Sequence, residues 1–183
     1  MSISTGRGDD GTTGLLHGGR VGKDSRRIET NGAIDEAQAV LGLARAEVRG
    51  QALDAELAGL ERGLVIVMAE VATAPRNRGK LVAGESLVTE EMVDAIGGRI
   101  QEIESGRAMP AEFILPGQDR LSATLDLART VVRRAERNAV GAGLGPDSRV
   151  VPYLNRLSDL CWLLARSCEA EPLAARTRRV QAP

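Results

Sequence analysis

The chain has 183 residues, a formal net charge of −1, 43% hydrophobic residues and only 2% aromatic residues. A single domain of this length buries roughly 70% of its unfolded surface, and a core this poor in aromatics must consist of Leu, Val, Ile and Ala, which favours helices. A charge near zero argues against a general nucleic-acid or membrane-surface binder. Because neither a membrane span nor a secretory signal is recognisable, we expect a cytoplasmic protein.

The cysteines and the single histidine exclude two kinds of site. Cys161 and Cys168 lie two turns apart on a predicted helix, about 10 Å along its axis and too far for a disulfide. We interpret them as core thiols. His17 is the only histidine, so one chain cannot form a multi-histidine metal site.

Three segments follow one another along the chain. Residues 1–31 are rich in Gly and Thr and have no apolar period, which predicts a loop. In residues 32–171, apolar residues recur at helical spacing in five stretches, and Thr89 is suited to cap the third. This pattern predicts an all-α fold, a five-helix antiparallel bundle with a ferritin-like up-down arrangement. Residues 172–183 are predicted to form a flexible tail.

A row of arginines on the predicted fourth helix is the strongest functional signal. Arg129, Arg133 and Arg137 are spaced four residues apart, so they stack along one helix face at intervals of about 6 Å. Guanidinium groups match phosphate and carboxylate oxygens. Three like charges repel one another, and an anion that lies across them offsets this repulsion. The row therefore predicts a polyphosphate site. The alternative is a solvated face neutralised by Glu136.

The glycine-rich N-terminus is a second candidate anion site. The stretch from Gly6 to Gly11 has the letters of a dinucleotide-binding fingerprint, but the pattern predicts neither a strand before it nor a βαβ unit after it, so we reject that match. The backbone N–H groups and hydroxyls between Gly6 and Gly14 are able to surround an anion, with Lys23 as a point charge. The alternative is a disordered tail.

Two further features have both a structural and a functional interpretation. Asn155 and Asp159 share one face of the predicted fifth helix, flanked by leucines, so they need polar partners for structural support or contact a ligand. Asp35 is either an ordinary acid near a helix N-terminus or an ion-pair partner for Arg129.

The chain resembles the PduO-type ATP:cob(I)alamin adenosyltransferases over about residues 3–168. Six segments carry the resemblance, in the order and spacing of that family: Thr5-Gly-Arg-Gly-Asp-Asp-Gly-Thr-Thr13, Gly19-Arg-Val-Gly-Lys23, Gly32-Ala-Ile-Asp-Glu36, Phe113-Ile-Leu-Pro-Gly117, Ala128-Arg-Thr-Val-Val-Arg-Arg-Ala-Glu-Arg137 and Tyr153-Leu-Asn-Arg-Leu-Ser-Asp159. The resemblance implies a homotrimer with active sites between subunits. The implied partners are a cobalamin reductase and an adenosylcobalamin-dependent mutase, with no nucleic acid and no membrane.

The resemblance also implies the reaction, in which cob(I)alamin attacks the 5′-carbon of ATP to give adenosylcobalamin and triphosphate. Since cobalt is the nucleophile, the protein only has to position the substrates and stabilise the charge that grows on the leaving triphosphate. Mg²⁺ is expected to be held through the ATP phosphates and not by a protein metal site. The implied ATP-binding residues are Thr5, Gly6, Arg7, Gly8, Thr13, Gly14, Lys23, Arg133, Arg134, Glu136, Arg137 and Asn155.

The implied corrinoid-binding residues are Asp35, Phe113 and Arg129, which together with Arg133 form the implied catalytic set. Asp35 and Arg129 would form an ion pair between subunits. Phe113 would occupy the space below the corrin, displace the lower axial ligand and ease the reduction of Co(II). The alternative for Phe113, the only phenylalanine, is a plug in the core.

The sequence departs from the family pattern at several positions. Gln118 replaces a glycine, Asp126 a common histidine, Arg7 a frequent threonine and Trp162 a common phenylalanine. Asp126 precedes Arg129 by three residues and is expected to pair with it in competition with Asp35. These changes bear on corrinoid affinity more than on ATP binding. The alternative functions are a non-catalytic ATP- or adenosylcobalamin-binding carrier and a helical interaction module.

Overall fold

The computed structural model describes residues 6–176 and is mostly helical. The α-helices in this range are α1 (Arg26–Glu47), α2 (Ala52–Val71), α3 (Glu90–Gly106), α4 (Arg120–Val140) and α5 (Val150–Cys168). Two short strands, β1 (Thr12–Gly14) and β2 (Arg20–Gly22), precede α1, and a 3₁₀-helix (Pro75–Lys80) follows α2. Among the helices of residues 6–176, none combines the length and apolarity that crossing a membrane requires.

Hydrogen bonds near both ends of neighbouring helices define their directions. Between α1 and α2, Arg45 Nε donates to Asp54 at 2.9 Å and Gln38 Nε2 to the Glu61 carbonyl at 2.9 Å, so these helices are antiparallel. Helices α4 and α5 are antiparallel too, since Arg166 near the end of α5 reaches Asp126 near the start of α4. Helix α3 is parallel to α5, because Glu90 at its start pairs with Arg149 and Arg107 at its end donates to the Arg166 carbonyl.

Apolar residues at helical spacing form one core between these helices. Ile34, Leu57, Leu125, Leu154 and Leu157 have no exposed surface. One glycine permits a close approach of α2 to α5, because a Cβ atom at Gly63 would collide with the Tyr153 hydroxyl. The core therefore depends on aliphatic side chains and one buried tyrosine, as the composition predicts.

The predicted helix starts are correct for α3 and wrong for α1. Thr89 caps α3, its hydroxyl accepting from the Met92 N–H. Helix α1, however, begins at Arg26, within the segment predicted to be loop through residue 31. Arg27 explains the difference, because its guanidinium donates to the Val71 and Thr73 carbonyls at 2.6 and 3.0 Å. These contacts stabilise a first turn that has little apolar periodicity of its own.

The N-terminal segment also contains a hairpin that the sequence did not predict. In β1 and β2, Thr12 pairs with Gly22, Thr13 with Val21 and Gly14 with Arg20. Strands of three residues that include glycine carry almost no periodic signal.

The C-terminal segment differs from the prediction of a flexible tail beginning at residue 172. The Leu115 N–H donates to the Leu173 carbonyl at 2.8 Å, and the Ala175 N–H donates to the Phe113 carbonyl at 2.7 Å. Because these bonds join backbone atoms, no side-chain pattern revealed them. The last described residues thus hold the connector between α3 and α4, while residues 177–183 lie outside the described range.

A buried carboxylate near the end of α2 joins several segments of the chain. Glu70 is 1% exposed. Its Oε1 accepts from Arg78 Nη1 at 2.7 Å and from the Ser148 hydroxyl at 2.6 Å, and its Oε2 accepts from the Val88 N–H at 2.8 Å. One side chain therefore connects α2 to the 3₁₀-helix, the start of α3 and the turn before α5.

We expect Glu70→Ala to lower the free energy of unfolding by about 3 kcal/mol, because it leaves buried donors without an acceptor. The control is Glu90→Ala, which removes an exposed ion pair with Arg149 and should cost less than about 1 kcal/mol. Urea unfolding followed by circular dichroism measures both. Equal losses in the two variants would contradict this role of Glu70.

Candidate active site

The arginine row spirals around α4 and does not form a straight stack. A step of four residues in a helix with 3.6 residues per turn rotates the side chain by about 40°. Arg129 is therefore half-buried against α5, Arg133 is exposed beside it, and Arg137 faces the start of α1, where it lines a small cavity with Arg26 and Glu29. The three guanidinium groups serve different parts of the surface.

Two adjoining cavities lie along the α4–α5 groove. The Phe113 cavity, of about 450 Å³, is lined by the connector around Phe113 and by Asp126, Arg129, Trp162 and Arg166. The Arg133 cavity, of about 330 Å³, lies between α3, α4 and α5, and its lining includes Arg129, Arg133, Ser158, Asp159 and Trp162. Arg129 and Trp162 belong to both linings. They form the boundary at which molecules bound in the two cavities would meet.

Phe113 is 89% exposed at the first cavity. This exposure excludes the alternative of a plug in the core. The backbone of its connector is nevertheless held by residues 173–175 through the two hydrogen bonds described above. An exposed aromatic ring on a bonded backbone leaves an apolar surface free for a ligand.

A buried ionic network forms the back of the Phe113 cavity. Asp126 Oδ2 accepts from Arg166 Nη2 at 2.6 Å, and Asp126 Oδ1 accepts from Arg129 Nε at 3.4 Å. Arg166 also pairs with Glu169 at 2.9 Å, and its guanidinium lies 5.7 Å from the centre of the Trp162 ring. The expected pairing of Asp126 with Arg129 is present, whereas Arg166 was not singled out from the sequence.

The other residues expected on the bundle side of an ATP site have partners within the chain. Glu136 Oε1 accepts from Asn155 Nδ2 at 3.2 Å across α4 and α5. Arg134 forms an ion pair with Glu36 of α1. No ion pair within residues 6–176 joins Glu136 to Arg133 or Arg137, so Glu136 positions Asn155 and does not neutralise the row.

The glycine-rich loop is ordered by its own polar groups from Gly6 onward. Arg20 Nη2 donates to the Arg7 carbonyl at 2.7 Å, and Arg20 Nε donates to the Thr12 hydroxyl at 2.9 Å. Hydrogen bonds from Thr12 lower the pKa of the Asp10 carboxyl. Thr13 and Gly14 lie in β1, and Thr5 lies outside the described residues. These contacts exclude a disordered tail for residues 6–24.

Lys23 lies inside this loop. A Cβ atom at Gly8 would lie 2.9 Å from Lys23 Nζ, so the ammonium group lies close against the loop backbone at this glycine. Gly6 has a positive φ of 64°, the left-handed conformation that glycine adopts at little cost. The loop therefore places one ammonium group beside a glycine-rich turn, a combination suited to an anion.

One chain does not bring all the expected residues together. The loop attaches to the end of α2, where the Leu16 N–H donates to the Ala72 carbonyl at 2.9 Å. Among the described residues, no hydrogen bond or ion pair links residues 6–24 to the arginine row. Asp35 is exposed on α1 and makes no ion pair within residues 6–176, so it does not meet Arg129 in that part of the chain.

The groove is suited to binding charged and flat molecules and not to nucleophilic catalysis by the protein. Burial raises the pKa of Cys161 to about 12, so this thiol is neutral at physiological pH and is not a nucleophile. In residues 6–176, no group of three or more His, Cys, Asp or Glu side chains is arranged to hold a metal ion. The groove offers guanidinium groups to an anion and aromatic faces to a flat apolar ring.

We expect Phe113→Ala to leave the free energy of unfolding within about 0.5 kcal/mol of the original value, because the ring is almost fully exposed. Leu157→Ala, which empties a buried position, should cost about 2–5 kcal/mol. Urea unfolding compares the two variants. A large loss for Phe113→Ala would mean that the ring packs in the folded protein.

Comparisons with known proteins agree with this geometry. The sequence profile of the family described as "Cobalamin adenosyltransferase" matches residues 3–168. A corrinoid adenosyltransferase of Bacillus subtilis (strain 168) is 37% identical, with 93% of this chain and 88% of the relative covered. For a corrinoid adenosyltransferase of Citrobacter freundii, the identity is 35% and the coverage is 93% of this chain and 96% of the relative.

The fold is similar to that of a solved structure as well. A variant of the PduO-type ATP:corrinoid adenosyltransferase from Lactobacillus reuteri, complexed with cobalamin and ATP, superimposes with a TM-score of 0.85 at 25% identity, over 96% of this chain and 100% of the other. The family match covers the arginine row, the glycine-rich loop and the α4–α5 groove. The chain belongs to the cobalamin adenosyltransferase family.

Proposed function

We propose that the protein transfers the 5′-deoxyadenosyl group of ATP to cob(I)alamin, forming adenosylcobalamin and triphosphate. The observation that carries this proposal is the pair of adjoining cavities with Arg129 and Trp162 in both linings. The reaction needs two large substrates side by side, one flat and one polyanionic. The names of the relatives and the cobalamin and ATP in the similar solved structure support the same reaction.

The corrinoid would lie in the Phe113 cavity. Phe113 and Trp162 provide apolar surface for the macrocycle. Phe113 would fill the space below the ring, displace the lower axial ligand and leave the cobalt four-coordinate. Arg129, at the inner end of this cavity, would pair with Asp35 of a neighbouring subunit and close the corrinoid site.

The triphosphate of ATP would lie on the arginine side of the groove. Arg133, Arg134 and Arg137 are exposed, and Glu136 and Asn155 are joined by a hydrogen bond beside them. The glycine-rich loop would contribute Gly6, Arg7, Gly8, Thr13, Gly14 and Lys23, together with Thr5. Mg²⁺ would bind with ATP, since it prefers phosphate oxygens and water over an all-protein site.

The bond changes explain why charge stabilisation is the main task of the protein. The electron pair of Co(I) forms the bond to the 5′-carbon, and the bond from that carbon to the triphosphate oxygen breaks. The leaving oxygen takes the electron pair and gains negative charge, which nearby guanidinium groups stabilise in a site that excludes water. No proton transfer is needed at the carbon, so no general base is required.

We further propose that the helices form a five-helix, ferritin-like up-down bundle that assembles as a homotrimer. In the described chain the glycine-rich loop and the arginine row are separate, and Asp35 is exposed. Both facts favour a site completed between subunits. Residues 1–31 would act as the ATP loop, residues 32–171 as the bundle and residues 172–183 as a tail. The protein would work in the cytoplasm with a cobalamin reductase and an adenosylcobalamin-dependent mutase.

An anaerobic assay with chemically reduced cobalamin and ATP tests the function. The proposal predicts that the cobalt–carbon bond forms and that one triphosphate is released per turnover. The absorbance of adenosylcobalamin measures bond formation. ATP binding without turnover would instead identify a carrier on the same fold. Failure to bind either substrate would leave a helical interaction module.

We expect Arg133→Ala to lower kcat by roughly 100-fold or more, because it removes a positive donor from the developing charge on triphosphate. The control is Arg62→Ala, an exposed arginine on α2 that lines neither cavity of the groove, which should keep the original kcat. Steady-state kinetics in the anaerobic assay measures both. A nearly normal kcat for Arg133→Ala would remove this residue from the site.

A further inference from the structure

Within the described residues, Arg129 is anchored through one of its three guanidinium nitrogens. Nε donates to Asp126 Oδ1 at 3.4 Å. Among residues 6–176, Nη1 and Nη2 of Arg129 have no hydrogen-bond or ion-pair partner. The side chain keeps 31% of its surface exposed, at the boundary of the two cavities. Its terminal nitrogens are therefore the part of Arg129 that is available to another molecule.

Asp126 is itself fixed from the interior. Its second oxygen accepts from Arg166 Nη2 at 2.6 Å, and the Arg166 side chain is 1% exposed. Arg166 also bonds Glu169, whose side chain has no exposed surface. Rotation of the Asp126 carboxylate would leave a buried guanidinium short of its counter-charge, which costs several kcal/mol. The oxygen that faces Arg129 is thus held in one place.

The geometry of guanidinium allows two carboxylates to bind Arg129 at once. The group has five N–H donors arranged around a plane. A carboxylate at Nε occupies one edge and leaves the end formed by Nη1 and Nη2 open. A carboxylate that approaches this end does not have to displace Asp126.

We propose that Asp126, held by Arg166, is a positioning residue that orients Arg129 through Nε and directs its terminal nitrogens to the corrinoid and to the partner subunit's Asp35. This inference rests on the proposed function, which places the corrinoid beside Arg129. The spacing in the sequence led us to expect Asp126 and Asp35 to compete for Arg129. In this proposal the two acids instead bind Arg129 at the same time. A buried acid and a buried arginine at the back of the Phe113 cavity thus become determinants of corrinoid affinity through Arg129.

Asp126→Asn tests this role with little change in shape. The variant keeps an oxygen acceptor but loses the charge, while Arg166 stays paired with Glu169, so the fold should persist. We expect the Kd for cob(II)alamin to rise about tenfold, the effect of weakening one charge-assisted hydrogen bond, and the Kd for ATP to stay unchanged. Titrations followed by absorbance for cob(II)alamin and by calorimetry for ATP measure the two constants.

Glu169→Gln is the matched control. It also removes a carboxylate charge from Arg166, but Glu169 has no bond to Arg129. The inference predicts an unchanged Kd for cob(II)alamin in this variant, even where thermal unfolding shows the same loss of stability as in Asp126→Asn. Equal weakening of cob(II)alamin binding in both variants would mean that the network only stabilises the fold, and would overturn the inference.

A double-mutant cycle with Asp35→Asn separates cooperation from competition. If both acids act through Arg129, the double variant loses less affinity for cob(II)alamin than the product of the two single losses. Competition would instead make Asp126→Asn bind cob(II)alamin more tightly. Tighter binding, an unchanged Kd in Asp126→Asn, or independent losses in the cycle would each overturn the inference.

A second substitution at Asp126 and a measurement on the original protein complete the test. If Asp126→Asn does not fold, Asp126→Glu retains the charge beside Arg166 but displaces the oxygen that Arg129 needs, so cob(II)alamin binding should again weaken while ATP binding does not. An unchanged Kd for cob(II)alamin in that variant would contradict the inference. Failure of the original protein to bind cob(II)alamin would overturn the proposed function itself, and is measured before any variant is compared.

Discussion

The antiparallel contact between α4 and α5 determines where the side chains of the candidate site lie. Near one end of the contact, Asn155 bonds Glu136. Near the other end, Arg166 bonds Asp126. Between these two contacts, Ala128, Val132 and Ala135 of α4 are buried in the core. Arg129 and Arg133 lie at the edge of this seam between α4 and α5, where they line the two cavities.

The charged groups buried at this seam lose their hydration, a cost in free energy that apolar residues would avoid. Arg166, Asp126 and Glu169 are all buried, and a buried ion pair contributes little net stability once desolvation is counted. Two arginines and two acids balance in the network, so its formal charge is zero with Arg129 included. Its value lies in geometry, because a neutral, rigid group of charges orients Arg129 and leaves the positive field toward the triphosphate to Arg133, Arg134 and Arg137.

The parts of the fold that depend on side-chain periodicity could be predicted from the sequence. The leucines of α2 and α5 repeat at helical spacing, and Thr89 marks the start of α3. The hairpin, the early start of α1 and the pairing of residues 173–175 with the Phe113 connector depend on backbone bonds or on distant carbonyls. Such contacts leave no local pattern, because the partner lies elsewhere in the chain.

Some residues of the candidate site could likewise be singled out from the sequence, and others could not. The spacing of Arg129, Arg133 and Arg137 indicated an anion site, and the position of Asp126 indicated its pairing with Arg129. Arg166 gave no such signal, since a lone arginine among leucines also suits the exposed side of a helix. Its burial, and the exposure of Phe113 beside it, become visible only when α5 is packed against α4.

The position of cobalt in the complex with both substrates shows whether the α4–α5 groove is the active site. A crystal structure of the protein with ATP and cob(II)alamin, with anomalous diffraction recorded at the cobalt edge, would locate the metal of the substrate. We expect one cobalt peak for each Phe113 cavity, above the Phe113 ring and beside Arg129, with the triphosphate against Arg133 and Arg137. A cobalt peak outside the α4–α5 groove, or a triphosphate remote from Arg133, would contradict it.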